Sequence, residues 1–135
     1  MGFHYDRDDD AKTWVLTGSR QGLQKFRDAL LAYSSKPANA TESEHDHYGP
    51  YMYLKVMTWP EAGFDDDSIR GSVEDLRRLA HIIEAKVSST AVGQSIRIQE
   101  EFSPASPYGL VLNIRDNDFD PASADLGLPP ESAGE

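Results

Sequence analysis

The feature that most constrains this chain is a pair of one-sided helical stripes, each opened by the dipeptide Gly-Ser. Residues 72–89, "SVEDLRRLAHIIEAKVSS", place Val73, Leu76, Leu79, Ala80, Ile83 and Val87 three or four positions apart. That spacing lines one face of an α-helix and leaves Arg77, Arg78, Glu84 and Lys86 to water. Ser72 stands at the N-cap, and Asp75 three residues later gives a capping box with Asp in place of Glu or Gln. Residues 19–35, "SRQGLQKFRDALLAYSS", repeat the design with Leu23, Phe26, Leu30 and Tyr33 in the stripe and Ser19 as N-cap. A helix with one apolar stripe must lay it against another packed layer.

The sequence between and around the helices supplies that layer. "TWVLTG" (13–18), "YMYLKVMTW" (51–59), "SIRG" (68–71), "QSIRIQEEF" (94–102) and "YGLVLNIRD" (108–116) are rich in β-branched and aromatic residues. In 51–59, Met52, Leu54 and Val56 share one side, and Tyr51, Tyr53, Lys55, Met57 and Trp59 the other. Ile96 and Ile98, then Leu110, Leu112 and Ile114, alternate in the same way and predict an antiparallel hairpin. The segments 34–46, "EAGFDDD" and "SPASP" read as loops and turns. The resulting order, β-α-β-(β)-α-β-β, predicts an α/β (α+β) fold. It is a two-layer sandwich, with two helices on one face of a mainly antiparallel sheet of four to five strands. Residues 1–12 are expected as a charged arm, 13–116 as a single domain, and 117–135 as an acidic, Pro/Gly-rich flexible tail. "TGSRQGLQKF" and "RGSVEDLRRL" echo one another, each with Leu four residues after Ser. Capping chemistry alone accounts for the Ser; a pseudo-duplicated layout is the other explanation.

A chain of 135 residues suits one hydrophobic core. No apolar run approaches the ~20 residues that span a bilayer. The acidic N-terminus lacks the features of a secretory signal, and Asp6 breaks the myristoylation pattern. Cysteine is absent, which removes disulfides, thiolate metal sites and cysteine nucleophiles, and makes a reducing cytoplasm the expected location. With 23 acidic and 13 basic residues the formal net charge is −10. That field opposes nucleic acid and anionic membrane and favours a soluble monomer or a basic partner, and solubility alone would account for it.

If two helices cover one side of the sheet, the other side exposes Tyr51, Tyr53, Met57 and Trp59. Such a stripe is a candidate contact surface for a partner or for a second copy in a homodimer. Asp65, Asp66 and Asp67, just beyond it, are candidate steering charges. In "SEHDHYGPYMYLKV" (43–56), His45 and His47 would share a face if extended, which is chelate spacing for a divalent metal. The chief expectation for this stretch is an acidic loop entering the strand; recognition comes next and a metal-binding or metal-dependent enzymatic role third. "FDDDS" and "DNDFD" lack EF-hand spacing and read as solvated turns. No nucleophile elbow, Walker loop, HExxH or dinucleotide fingerprint occurs, so no catalytic residue is assigned. His81 reads as a helix-flank histidine.

The combination of "LTGSRQGLQKFRDAL", "HDHYGPYMYL" and a later Gly-Ser turn resembles an immunity-protein family of bacterial polymorphic toxin systems. The resemblance covers roughly residues 14–72. It implies a small αβ protein that binds and blocks a cognate toxin, with His45 and His47 at matching positions and no assigned chemistry.

Overall fold

The computed structural model describes residues 3–48 and 54–120. Two helices form where the stripes predict them: α1, Arg20–Ser34, and α2, Val73–Ser89. Ser19 Oγ accepts from Gly22 N at 3.0 Å. Ser72 Oγ accepts from Asp75 N, and Ser72 N donates to Asp75 Oδ2, both at 3.1 Å, completing the capping box. Gly71 is required beside it, because a Cβ there would lie 2.7 Å from Asp75 Cβ.

Among the described residues eight strands accompany the helices: β1 Phe3–Asp8, β2 Thr13–Ser19, β3 His45–Tyr48, β4 Leu54–Thr58, β5 Gly63–Phe64, β6 Ile69–Gly71, β7 Ser95–Ile98 and β8 Gly109–Arg115. They build two mixed four-stranded sheets, ordered β1-β2-β8-β7 and β3-β4-β6-β5. The α+β class is the one the element order implies, and β7 and β8 form the expected antiparallel hairpin. The strand pairs are mainly antiparallel, as expected, but they form two sheets rather than one, each joined at its centre by a parallel pair, β2 with β8 and β4 with β6.

Three strands lie in segments read as arm, loop or turn. Residues 3–8 are an edge strand rather than a free arm. Phe3, Tyr5 and Arg7 oppose Gly18, Leu16 and Trp14, and Phe3 packs edge-on against Phe26. The stretch entered by His45 is a strand antiparallel to β4, not an irregular lead-in. Gly63 and Phe64 pair with Arg70 and Ile69.

In chain order the elements run ββαββ twice: β1-β2-α1-β3-β4, then β5-β6-α2-β7-β8. The first hairpin of each half joins the second hairpin of the other, in both cases through a parallel pair. Exchanging the halves maps the first sheet's order onto the reverse of the second's. The Gly-Ser echo therefore marks equivalent places, the exit of a central strand into its helix, and capping chemistry is only part of its meaning.

The helices pack antiparallel, and the contacts at their ends show how. Arg20 at the start of α1 donates to the Val87 carbonyl at 3.0 Å and to Thr90 O at 2.5 Å. Arg77 near the start of α2 donates to Ser34 O at 3.3 Å. Each arginine thus satisfies carbonyls at the other helix's C-terminus, where cations are favoured. One core serves both sheets and both helices. Leu16, Leu23, Leu30, Leu54, Val56, Leu76, Ile83 and Leu112 are among its fully buried members. Each such aliphatic side chain contributes about 1.5–3 kcal/mol over leaving it in water.

Candidate functional site

Alternation along β4 decides which residues this protein offers to other molecules. Leu54, Val56 and Thr58 are buried, while Lys55, Met57 and Trp59 are half-buried. Thr58 Oγ1 lies 2.7 Å from the Tyr33 hydroxyl of α1, so its side of the sheet is the helix side. Lys55, Met57 and Trp59 therefore stand on the opposite, open face. β3 extends this face: His45 opposes Met57 and His47 opposes Lys55, and both histidines are exposed. On the other flank Arg70 of β6 opposes Met57. Tyr51 and Tyr53, assigned to the same stripe, lie outside the described residues.

A buried polar network holds β3 in place. The Tyr33 hydroxyl, on a side chain 1% exposed, donates to Glu44 O at 2.7 Å and shares its contact with Thr58. Thr58 Oγ1 donates to Asn39 O at 2.5 Å, and Asn39 Nδ2 donates to Tyr33 O at 2.9 Å. Backbone bonds from Ser43 N to Thr58 O (2.9 Å) and from Thr58 N to Glu44 O (2.8 Å) then set the register one step before His45. Burial pushes the Tyr33 phenol above its ordinary pKa, against the hydrogen-bonding contact with Thr58, which acts the other way. Tyr48, at the end of β3, is pushed up to about 12, first by burial and then by the Asp46 carboxylate.

The three aspartates do unequal work. Asp65 Oδ1 accepts from Asp67 N at 2.9 Å and Ser68 N at 2.7 Å, which closes the turn between β5 and β6. Its other oxygen meets Arg70 Nη1 at 2.5 Å. Asp65 is thus committed to the fold, and its carbonyl also takes the Trp14 indole N–H at 2.6 Å. Asp67 is exposed and pairs with Lys55 at 3.0 Å. Asp66 is exposed too, and its carbonyl accepts from the Arg7 guanidinium. These contacts tie the turn to the first sheet. Gly63 lies beneath Arg70, whose Nε would be 3.5 Å from a Cβ placed there.

His45 and His47 stand with ring centroids 5.2 Å apart and ring planes perpendicular. His45 Nδ1 is 3.1 Å from Ser43 O. No group of three or more His, Asp or Glu side chains among the described residues is arranged to hold a metal ion. His81 is exposed on α2, away from the strands. Asp116 Oδ1 accepts from Asp118 N at 3.0 Å, the turn role expected of "DNDFD".

The first sheet's outer face carries a shallow depression of about 560 Å³, bordered by His4, Asp6, Asp8, Asp10, Val15 and Thr17. Nothing there pairs a nucleophile with a base: Thr17 Oγ1 accepts from Asn113 at 3.1 Å. Nearby, Tyr108 donates to Asp9 at 2.6 Å. That bond, with Arg7, holds the Asp9 carboxyl below the usual range, and the same bond is the first cause that pushes Tyr108 up to about 12. Chemistry and concavity therefore sit on different sheets, and the half-buried Met57–Trp59 face is the better candidate for recognition.

No described helix is long and apolar enough to cross a membrane. Comparison of the chain with protein-family models, with curated proteins and with solved structures finds no match.

Proposed function

We propose that this chain is a non-enzymatic protein-binding domain that captures a basic protein through the open face of its second sheet. Its role would be that of a cytoplasmic immunity protein that neutralises a cognate bacterial toxin. One observation carries the reading: β4 buries Leu54, Val56 and Thr58 against the helix side and leaves Lys55, Met57 and Trp59 half-buried opposite. A rigid face with a tryptophan and a methionine supplies the anchors that dominate interface energies. Tyr51 and Tyr53 would extend the stripe by strand alternation. The net charge of −10 supplies the steering field, with Asp66 and Asp67 the exposed acids of the turn between β5 and β6.

The test is co-expression with the toxin domain encoded beside the chain's own gene. The reading expects rescue of growth and a stable complex, with Trp59→Ala weakening capture roughly tenfold to a thousandfold, as anchor residues do. Rescue and affinity unchanged by both Trp59→Ala and Met57→Ala would overturn the assignment of the face. Absence of any complex would overturn the immunity role. Sedimentation at several concentrations separates partner capture from self-association through the same face.

A further inference from the structure

The β3–β4 hairpin gathers three metal-binding donors that are separated in sequence. His45 and His47 occupy alternate positions of β3 and so share its open face. The register puts His45 directly across from Met57, whose thioether lies on that face. Directly opposed Cβ atoms stand ~4.5–5.5 Å apart and diagonal ones ~7–8 Å, distances a three-torsion methionine covers to reach both rings. In the tautomer that donates from Nδ1 to Ser43 O, His45 presents the lone pair of Nε2 to solvent. A backbone acceptor behind the ring is the support that orients metal-ligating imidazoles. The rings, 5.2 Å apart, are close enough to converge on one ion.

We propose that His45, His47 and Met57 form a three-coordinate binding site for monovalent copper. The ligand set argues for this ion. A thioether selects soft Cu(I), and imidazole accepts it as well. Carboxylates, which would favour harder divalent ions, are turned away: Asp46 pairs with Val56, a buried residue, and so points off this face. Lys55 opposes His47 and Arg70 opposes Met57, and Asp67 and Asp65 neutralise them as ion pairs. The Tyr33–Thr58–Asn39 network fixes the start of β3 and so holds the two histidines in register. The site shares Met57 with the proposed protein-binding face, and metal competition without any partner tests it separately.

The experiment uses the full chain without an affinity tag, under anaerobic ascorbate, competing for Cu(I) against bicinchoninate. The proposal expects a one-to-one complex whose X-ray absorption shows one sulfur and two nitrogen scatterers. Met57→Leu should weaken Cu(I) binding by roughly tenfold or more, the scale of losing one weak ligand, while leaving any nickel binding unchanged. His47→Ala should weaken both metals, whereas His4→Ala should change neither. All variants are compared at equal folded fraction by circular dichroism, and the sulfur signal needs no variant. Failure of the wild-type chain to compete, a spectrum without sulfur, or Cu(I) affinity unaltered in Met57→Leu would overturn the proposal. So would loss of binding in His4→Ala.

Discussion

Replacing Tyr33 by Phe tests how the site's edge strand is held. The substitution keeps the ring, which is 1% exposed, and removes only the hydroxyl. That hydroxyl contacts Glu44 O and Thr58 Oγ1, each at 2.7 Å. Both groups keep another partner: Glu44 O still accepts from Thr58 N, and Thr58 Oγ1 still donates to Asn39 O. No group is left wholly unsatisfied, so the loss falls near the net worth of one or two hydrogen bonds, about 1–2 kcal/mol, rather than the larger penalty of an orphaned polar atom. For a chain of this size that lowers the melting temperature by roughly 4–8 °C. Thr58→Val should cost more, about 2–3 kcal/mol, because the Asn39 carbonyl loses the 2.5 Å bond it receives from Thr58. The double variant should fall short of the sum by about 0.5–1.5 kcal/mol, as expected for residues in one network. Urea unfolding of the four proteins gives the cycle, and hydrogen exchange at the Ser43 and Thr58 amides reports whether β3 loosens first. Full additivity with unchanged exchange would refute the claim that this network sets the position of β3.

Other consequences can be checked together. Gly71→Ala puts a Cβ 2.7 Å from Asp75 Cβ, so it should break the capping box and destabilise by about 1–2 kcal/mol, read by urea denaturation. Tyr33, Tyr48 and Tyr108 all hold their protons more tightly in the fold than in an unfolded chain. Their contribution is intact below about pH 10 and is lost as pH rises toward the folded values. The urea midpoint should therefore fall between about pH 10 and pH 12, and fall less in Tyr108→Phe. Association with a basic partner should slow as salt is raised from low to physiological strength, and more weakly so in Asp66→Asn. A rate insensitive to salt in stopped flow would remove the steering role.

The helices were legible because their information is local. Ser19 and Ser72 cap them, and Leu23, Phe26, Leu76 and Leu79 repeat at the helical period. The alternation of β4 was legible for the same reason: Lys55, Met57 and Trp59 alternate with Leu54, Val56 and Thr58, and strand geometry alone puts them on opposite sides. Strand partnership was not. The parallel pairs join residues 13–19 to 109–115 and 56–58 to 69–71, and nothing in a single sequence names those partners. β1 was hidden by its charges, because an edge strand tolerates Asp6, Arg7 and Asp8 where a central one would not. Asp65 carried a signal that was read too generally: Asp followed at two and three residues by amides it accepts from is a turn-closing pattern. The Tyr33–Thr58–Asn39 network left no periodic trace, since each member sits among residues chosen for other reasons.

The chain contains two tryptophans, and they lie on opposite sides of the central claim. Trp14 is 3% exposed in the core, whereas Trp59 stands half-buried on the open face. Acrylamide quenching of the Trp14→Phe and Trp59→Phe proteins reads each indole separately. The account predicts ready quenching and red-shifted emission from Trp59, and shielded, blue-shifted emission from Trp14. Equal shielding of both at high dilution would mean that the chain seals its own sheet, leaving no face for a partner.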